Sequence, residues 1–141
     1  MEQGVEKLKV YRLAHELGMR IHQLSLTLPK FEMYEEGSQV RRSAKSVSSN
    51  IVEGFALRKY KNEFIHYLHR AYASSKETVE HLRYIFETKS MTDTTAYNKL
   101  IDQYDELNKM LFVFMNSVAR VHETPHYSKE RDTGSSQESA I

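Results

Sequence analysis

Glu63-x-x-His66 pairs a carboxylate with an imidazole at the spacing that metal-binding helical bundles use. Carboxylate-bridged di-metal bundles need that motif on two helices, with a further glutamate from each of two others. No second predicted helix repeats it, and Glu63 and His66 fall off the Phe64/Tyr67/Leu68 stripe, on the side facing solvent. His66 with His69, and His15 with His22, could each hold a stray ion, but neither pair has carboxylates around it. Nucleophilic chemistry fares no better, since the serines near residue 46 have no Gly-x-Ser-x-Gly elbow and no histidine in their helix. A phosphate-cradling glycine loop and a dinucleotide fingerprint are also missing. The expectation is a protein without enzymatic activity, metal or cofactor.

The residues left to act are basic. Between Gln39 and Lys61 stand Arg41, Arg42, Lys45, Arg58, Lys59 and Lys61 against one acid, Glu53, although the whole chain carries only +1. Such a cluster suits phosphate contacts. Tyr60, between Lys59 and Lys61, could stack on an unpaired base while the flanking ammonium groups hold the backbone. Arg41, Arg42, Lys45, Arg58, Lys59, Tyr60 and Lys61 are therefore the candidate nucleic-acid contacts. Asn50 and Glu53 read as structural: Asn50 satisfying backbone groups at the corner after its helix, Glu53 pairing with Arg58 or with Arg41 or Arg42 of a neighbouring copy.

Four periodic runs must position these groups. Val10, Leu13, Ala14, Leu17, Ile21, Leu24 and Leu28 make a helical stripe over about 8–28, which Pro29 stops. Gly37 then breaks the chain, Ser38 offers an N-cap, and the second helix covers about 38–53, with Glu53-Gly54 at its end. Its stripe is Val40, Ala44, Val47 and Ile51, and its serines at 43, 46, 48 and 49 leave room for close approach by a neighbour. The third helix runs from about 60 to 87. Ser90–Asp93 is a turn with Thr92 or Asp93 as cap, and the fourth helix covers about 94–122. Beyond it, 123–141 is Ser-, Thr- and charge-rich and reads as a disordered tail.

The expected fold is thus all-α, an antiparallel up-down-up-down four-helix bundle of 1–122. Five Gly and two Pro are sparse punctuation for an all-β chain, and zero cysteines exclude disulfides and suit a reducing cytoplasm. Secretory and membrane-spanning segments are not visible, so the expected location is cytoplasmic. Met110, Phe112, Val113 and Met115 widen the apolar stripe of the last helix beyond one seam, which predicts self-association.

Gln39-x-x-Arg42-Ser43-x-x-Ser46-x-x-Ser49-Asn50-Ile51-Val52-Glu53-Gly54-Phe55 resembles the signature of the bundle proteins encoded in 23S rRNA intervening sequences, often labelled S23 ribosomal proteins. Glu63-Phe64-x-x-Tyr67-Leu68-x-x-Ala71-x-x-Ser74-Ser75-x-Glu77-Thr78 is similar to that family's third helix. The resemblance spans about 7–121 and implies a homopentameric ring without enzymatic activity, with structured RNA or DNA as the expected ligand. It also implies kinship with accessory proteins of diversity-generating retroelements, which bind a reverse transcriptase and nucleic acid through a basic ring surface. In that light Gln39, Arg42, Asn50, Glu53 and Gly54 are fold or subunit-interface determinants. Two readings follow: a homo-oligomeric nucleic-acid binder, or a protein-interaction scaffold such as a reverse-transcriptase accessory subunit.

Overall fold

The computed structural model describes residues 4–121, and among these there are helices and no strands. A 3-10 turn at Val5–Lys7 leads into α1 (Lys9–Ser25), followed by a short α2 (Lys30–Tyr34), α3 (Glu36–Ala56), α4 (Lys61–Glu87) and α5 (Thr94–Val121). The tail expected at 123–141 lies outside the described residues.

Each long helix packs against two others: α3 lies between α1 and α4, and α5 joins α4 back to α1. Consecutive long helices therefore alternate in direction, and the diagonal pair α3 and α5 run parallel. The apolar stripes meet in one core, with Leu17, Ile21, Val40, Val47, Ile51, Leu68, Leu82, Leu107 and Leu111 fully buried. Burying one such side chain contributes about 2 kcal/mol, so these contacts carry the fold.

Three expectations about helix ends need correction. α1 stops at Ser25, and Leu26–Leu28 form a turn before Pro29, which opens α2 where a plain connection was expected. Gly37 and Ser38 lie inside α3, whose entry is at Glu35. Gly37 sits there because space is short: a β-carbon on it would stand 3.0 Å from the Glu32 carbonyl and 3.3 Å from Leu28 Cδ1. Glu53-Gly54 does not end α3 either. The helix continues to Ala56, with Gly54 packed against Phe64 and Tyr67 of α4.

The α4–α5 turn closes as the sequence suggests. Asp93 Oδ1 accepts the Ala96 amide at 3.0 Å, capping α5. At the end of α4, Lys89 takes φ 69° while the Ser90 amide reaches back to the Ile85 carbonyl at 3.0 Å. This is the left-handed termination usually given to glycine.

Two polar seams fix register. Across α3–α4 the hydroxyls of Ser43 and Thr78 are 2.8 Å apart, and those of Ser46 and Ser74 are 2.9 Å apart. At the far corner buried Glu32 accepts from Ser90 at 3.0 Å, and His81 Nδ1 lies 2.7 Å from Glu36 Oε1. These bonds tie α2 and the start of α3 to the end of α4. They add modest stability each, but they penalise any slide of one helix along another.

Tyr104 is the core's discordant residue. It is fully buried in α5 and its hydroxyl has no hydrogen-bond partner. Burial pushes its phenol well above the usual range near 10. Because the folded value is raised, the native contribution of this group is present below pH ~10 and is lost as rising pH ionises the unfolded chain. Tyr104→Phe removes an unsatisfied hydroxyl and should stabilise the protein by about 1 kcal/mol. A melting experiment should show a rise of about 3–5 °C at neutral pH and a larger gap above pH 10. A lower melting temperature for the variant would contradict the unpartnered state of the hydroxyl.

Candidate nucleic-acid interface

The seven sequence-selected contacts do not form one patch. Arg41 and Arg42 precede Arg58 by most of α3, about 25 Å at 1.5 Å per residue. Arg41 is turned inward: one guanidinium nitrogen donates to Ser25 Oγ at 2.9 Å and the other to the Met33 carbonyl at 3.3 Å. It clamps the end of α1 to α2. Arg42 and Lys45 are exposed on the outer side of α3, Lys45 sharing a groove with His15, Gly18, Met19 and His22 of α1.

The second group stands together at the α3–α4 corner. Arg58, Lys59 and Tyr60 are exposed and Lys61 is half-buried at the first turn of α4. Arg58 stacks its guanidinium over the Phe55 ring, 4.0 Å from the centroid, and donates to the Phe55 carbonyl at 2.9 Å. Lys59 Nζ lies 5.7 Å from the centre of the Tyr60 ring, which is 57% exposed. An exposed ring beside two ammonium groups offers a base a stacking surface and its phosphates a counter-charge.

The bundle then adds residues that the sequence reading missed. Because α1 and α4 begin where α3 and α5 end, Lys7, Lys9 and Arg12 lie at the same end of the molecule as this corner, together with Arg120. Among the described residues the acids in those turns are Glu6, Glu53 and Glu63, and Arg12 is occupied by the Glu6 carbonyl at 2.7 Å. At the opposite end the charges alternate in sign, and Arg83–Glu80 and His81–Glu36 are paired at 2.7 Å. The missed lysines are 50 residues away in sequence, so a window on Gln39–Lys61 could not find them.

The signature residues divide by role. Asn50 is buried and donates to the Ser46 carbonyl at 2.8 Å and the Ser46 hydroxyl at 3.0 Å. It therefore extends the α3–α4 seam, and does not satisfy the corner as expected. Gly54 lets α4 approach. Gln39, Arg42 and Glu53 are all exposed on α3. Arg42 and Glu53 are eleven residues apart, about 16 Å along the axis, so they cannot pair within one chain.

Glu63, His66 and His69 are exposed, and among the described residues no group of three His, Asp or Glu side chains could hold a metal ion. No helix among them is long and apolar enough to cross a membrane. Two open grooves flank α5. One, about 540 Å³, is lined by Leu8, Val10, Met110, Val113 and Phe114. The other, about 530 Å³, lies between Tyr72 and Lys76 of α4 and Asp105, Asn108 and Phe112 of α5.

Four long antiparallel helices around one core, with lysine and arginine side chains grouped at one end, define a helical-bundle protein with a basic cap. Residues 6–113 match the family of 23S rRNA-intervening sequence proteins, and the chain belongs to that family. A crystal structure from Bacteroides thetaiotaomicron VPI-5482, described as a protein of unknown function from the S23 ribosomal protein family, has the same fold. It is 24% identical, superposes with a TM-score of 0.68, and the match covers 75% of this chain and 94% of that one. No curated protein matches.

Proposed function

We propose that this is a non-enzymatic, homo-oligomeric protein that holds structured RNA or DNA against the basic end of the bundle. The observation that carries the reading is that Lys7, Lys9, Arg58, Lys59, Lys61 and Arg120 share one end of the bundle with exposed Tyr60, while the far end has mixed sign. With two or three of these six side chains on phosphates at a time, one protomer has too few contacts for useful affinity. A ring of five, the copy number that the family resemblance implies, multiplies them to ten or so. Phosphate contacts carry no sequence information, so selectivity follows the shape of the nucleic acid and its unpaired bases.

The test is a filter-binding titration of a structured RNA and of duplex DNA at two salt concentrations. With about ten contacts, affinity should fall by at least about 10³-fold between 50 and 200 mM salt. Weak binding that ignores salt would overturn the reading. It would favour the alternative, a protein scaffold such as a reverse-transcriptase accessory subunit.

A further inference from the structure

We infer that the groove between the start of α1 and the second half of α5 binds a single-chain acyl anion, a hydrocarbon tail ending in a carboxylate. Such binding needs neither nucleic acid nor a second copy, so it stands apart from the function proposed above. The groove follows from how two helices of unequal length meet. α1 and α5 run antiparallel, and their seam is closed where Arg20 donates to Gln103. Toward its start α1 gives way to extended Leu8 and the 3-10 turn, whereas α5 runs on to Val121. The seam widens there into a gap of about 540 Å³. Sites for small ligands occupy roughly 300–1,000 Å³.

The floor of this gap is hydrocarbon. Leu8 and Val10 supply one wall, and Met110, Val113 and Phe114 supply the other from one 3-4 stripe of α5. Val113 is 64% exposed, although an amphipathic helix of a bundle turns its apolar residues inward. Lys7, Lys9 and Lys109 complete the lining, and all three are exposed. Glu6 and Glu106 are near these lysines in the chain, but neither lines the groove. The site therefore presents apolar surface beside three positive charges, and the aliphatic lysine stems extend the floor outward. A hydrocarbon body with an anionic end is complementary to both features.

Other occupants match one feature and not the other. A nucleobase would press its polar edges against carbon, with the Ser117 hydroxyl as the neutral polar side chain in the lining. Residues 122–141 bring only Tyr127 and Ile141 as large apolar side chains, amid charged and hydroxyl groups. An acyl chain has no polar edge to satisfy, and its carboxylate can sit among the ammonium groups in water.

Calorimetric titration of the full chain with dodecanoate, below its micelle concentration, reads the site directly. One dodecanoate per chain should bind. Octanoate should bind at least about 10-fold more weakly, because each methylene fully withdrawn from water is worth about 4-fold. Dodecyltrimethylammonium, with the same tail and a positive head, should also bind at least about 10-fold more weakly. Val113→Glu places a carboxylate on the floor and should cost dodecanoate at least about 10-fold in affinity. Tyr84→Glu adds the same charge at another exposed apolar residue, on α4, and should leave affinity within about twofold. Lys109→Glu should weaken dodecanoate several-fold and narrow its advantage over the cation, a change that lost packing alone would not produce. Circular dichroism checks that each variant is folded. The absence of saturable binding, equal affinity for the two head groups, or equal losses in the Val113 and Tyr84 variants would overturn the site. So would binding of wild type to phosphatidylglycerol vesicles without uptake of monomeric dodecanoate, which would make the groove a lipid-surface contact. No dodecanoate binding together with a lower solution mass for Val113→Glu would give the groove to a second copy, and would leave the function proposed above standing.

Discussion

A Gly54→Leu variant should lose about 3 kcal/mol of stability, seen as a melting temperature roughly 10 °C lower. Helix propensity argues the other way, because glycine in a helix interior costs about 1 kcal/mol relative to alanine. Sterics win at this position. A β-carbon on Gly54 would stand 3.1 Å from Tyr67 Cβ and 3.3 Å from both the Phe64 ring and the Phe64 carbonyl. Phe64 cannot retreat, since it is buried and its ring meets Phe114 edge to face at 5.8 Å. Alanine should consequently come out within about 1 kcal/mol of wild type, with the propensity gain offsetting the crowding. Leucine needs α3 and α4 to part. Gly18 is the internal control: its added β-carbon would meet only the Ala44 carbonyl, at 3.7 Å, so Gly18→Ala should stabilise by about 0.5–1 kcal/mol. Urea titration of the three variants checks the order Gly18→Ala, Gly54→Ala, Gly54→Leu. A wild-type midpoint for Gly54→Leu would refute the close approach of the helices.

That glycine also shows where the sequence was legible. The 3-4 spacing of apolar residues located all four long helices and nearly every core position, because periodicity survives whatever the neighbours are. What failed was punctuation. Gly37 and Gly54 looked like helix breaks, yet both are helical and exist to admit a neighbour, which is a tertiary fact with no local signal. Val121 continues the 3-4 spacing of Leu111, Phe114 and Val118 along α5 but is exposed. The basic cluster was legible as composition and misleading as geometry. Arg41 is spent on Ser25 and Met33, Arg42 and Lys45 lie on the flank, and only residues 58–61 share the end. Lys7, Lys9 and Arg120 join them only once the chain has folded back on itself. Asn50 was expected to satisfy the corner after its helix, but its side chain bonds Ser46, one turn back in the same helix.

Removing Lys7, Lys9 and Lys59 together should cut affinity for a structured RNA about 10²-fold at moderate salt and roughly halve the slope of log affinity against log salt. The three are exposed, so their loss should leave the fold intact. In an assembly of several copies each substitution is repeated in every subunit, and roughly half of the phosphate contacts disappear at once. The decisive comparison removes the same charge elsewhere. Lys30, Lys89 and Lys99 are also exposed but sit at the opposite end, among Glu32, Glu87 and Asp93. Their triple alanine variant has an identical net charge, and long-range attraction to a polyanion would suffer equally in both. If nucleic acid rests on the basic end, only the first triple variant changes the slope. Equal losses in the two would reduce the cap to a contributor of net charge, and no loss in either would remove nucleic acid from the function. Solution mass must match wild type in both variants, because fewer copies would flatten the slope for a different reason.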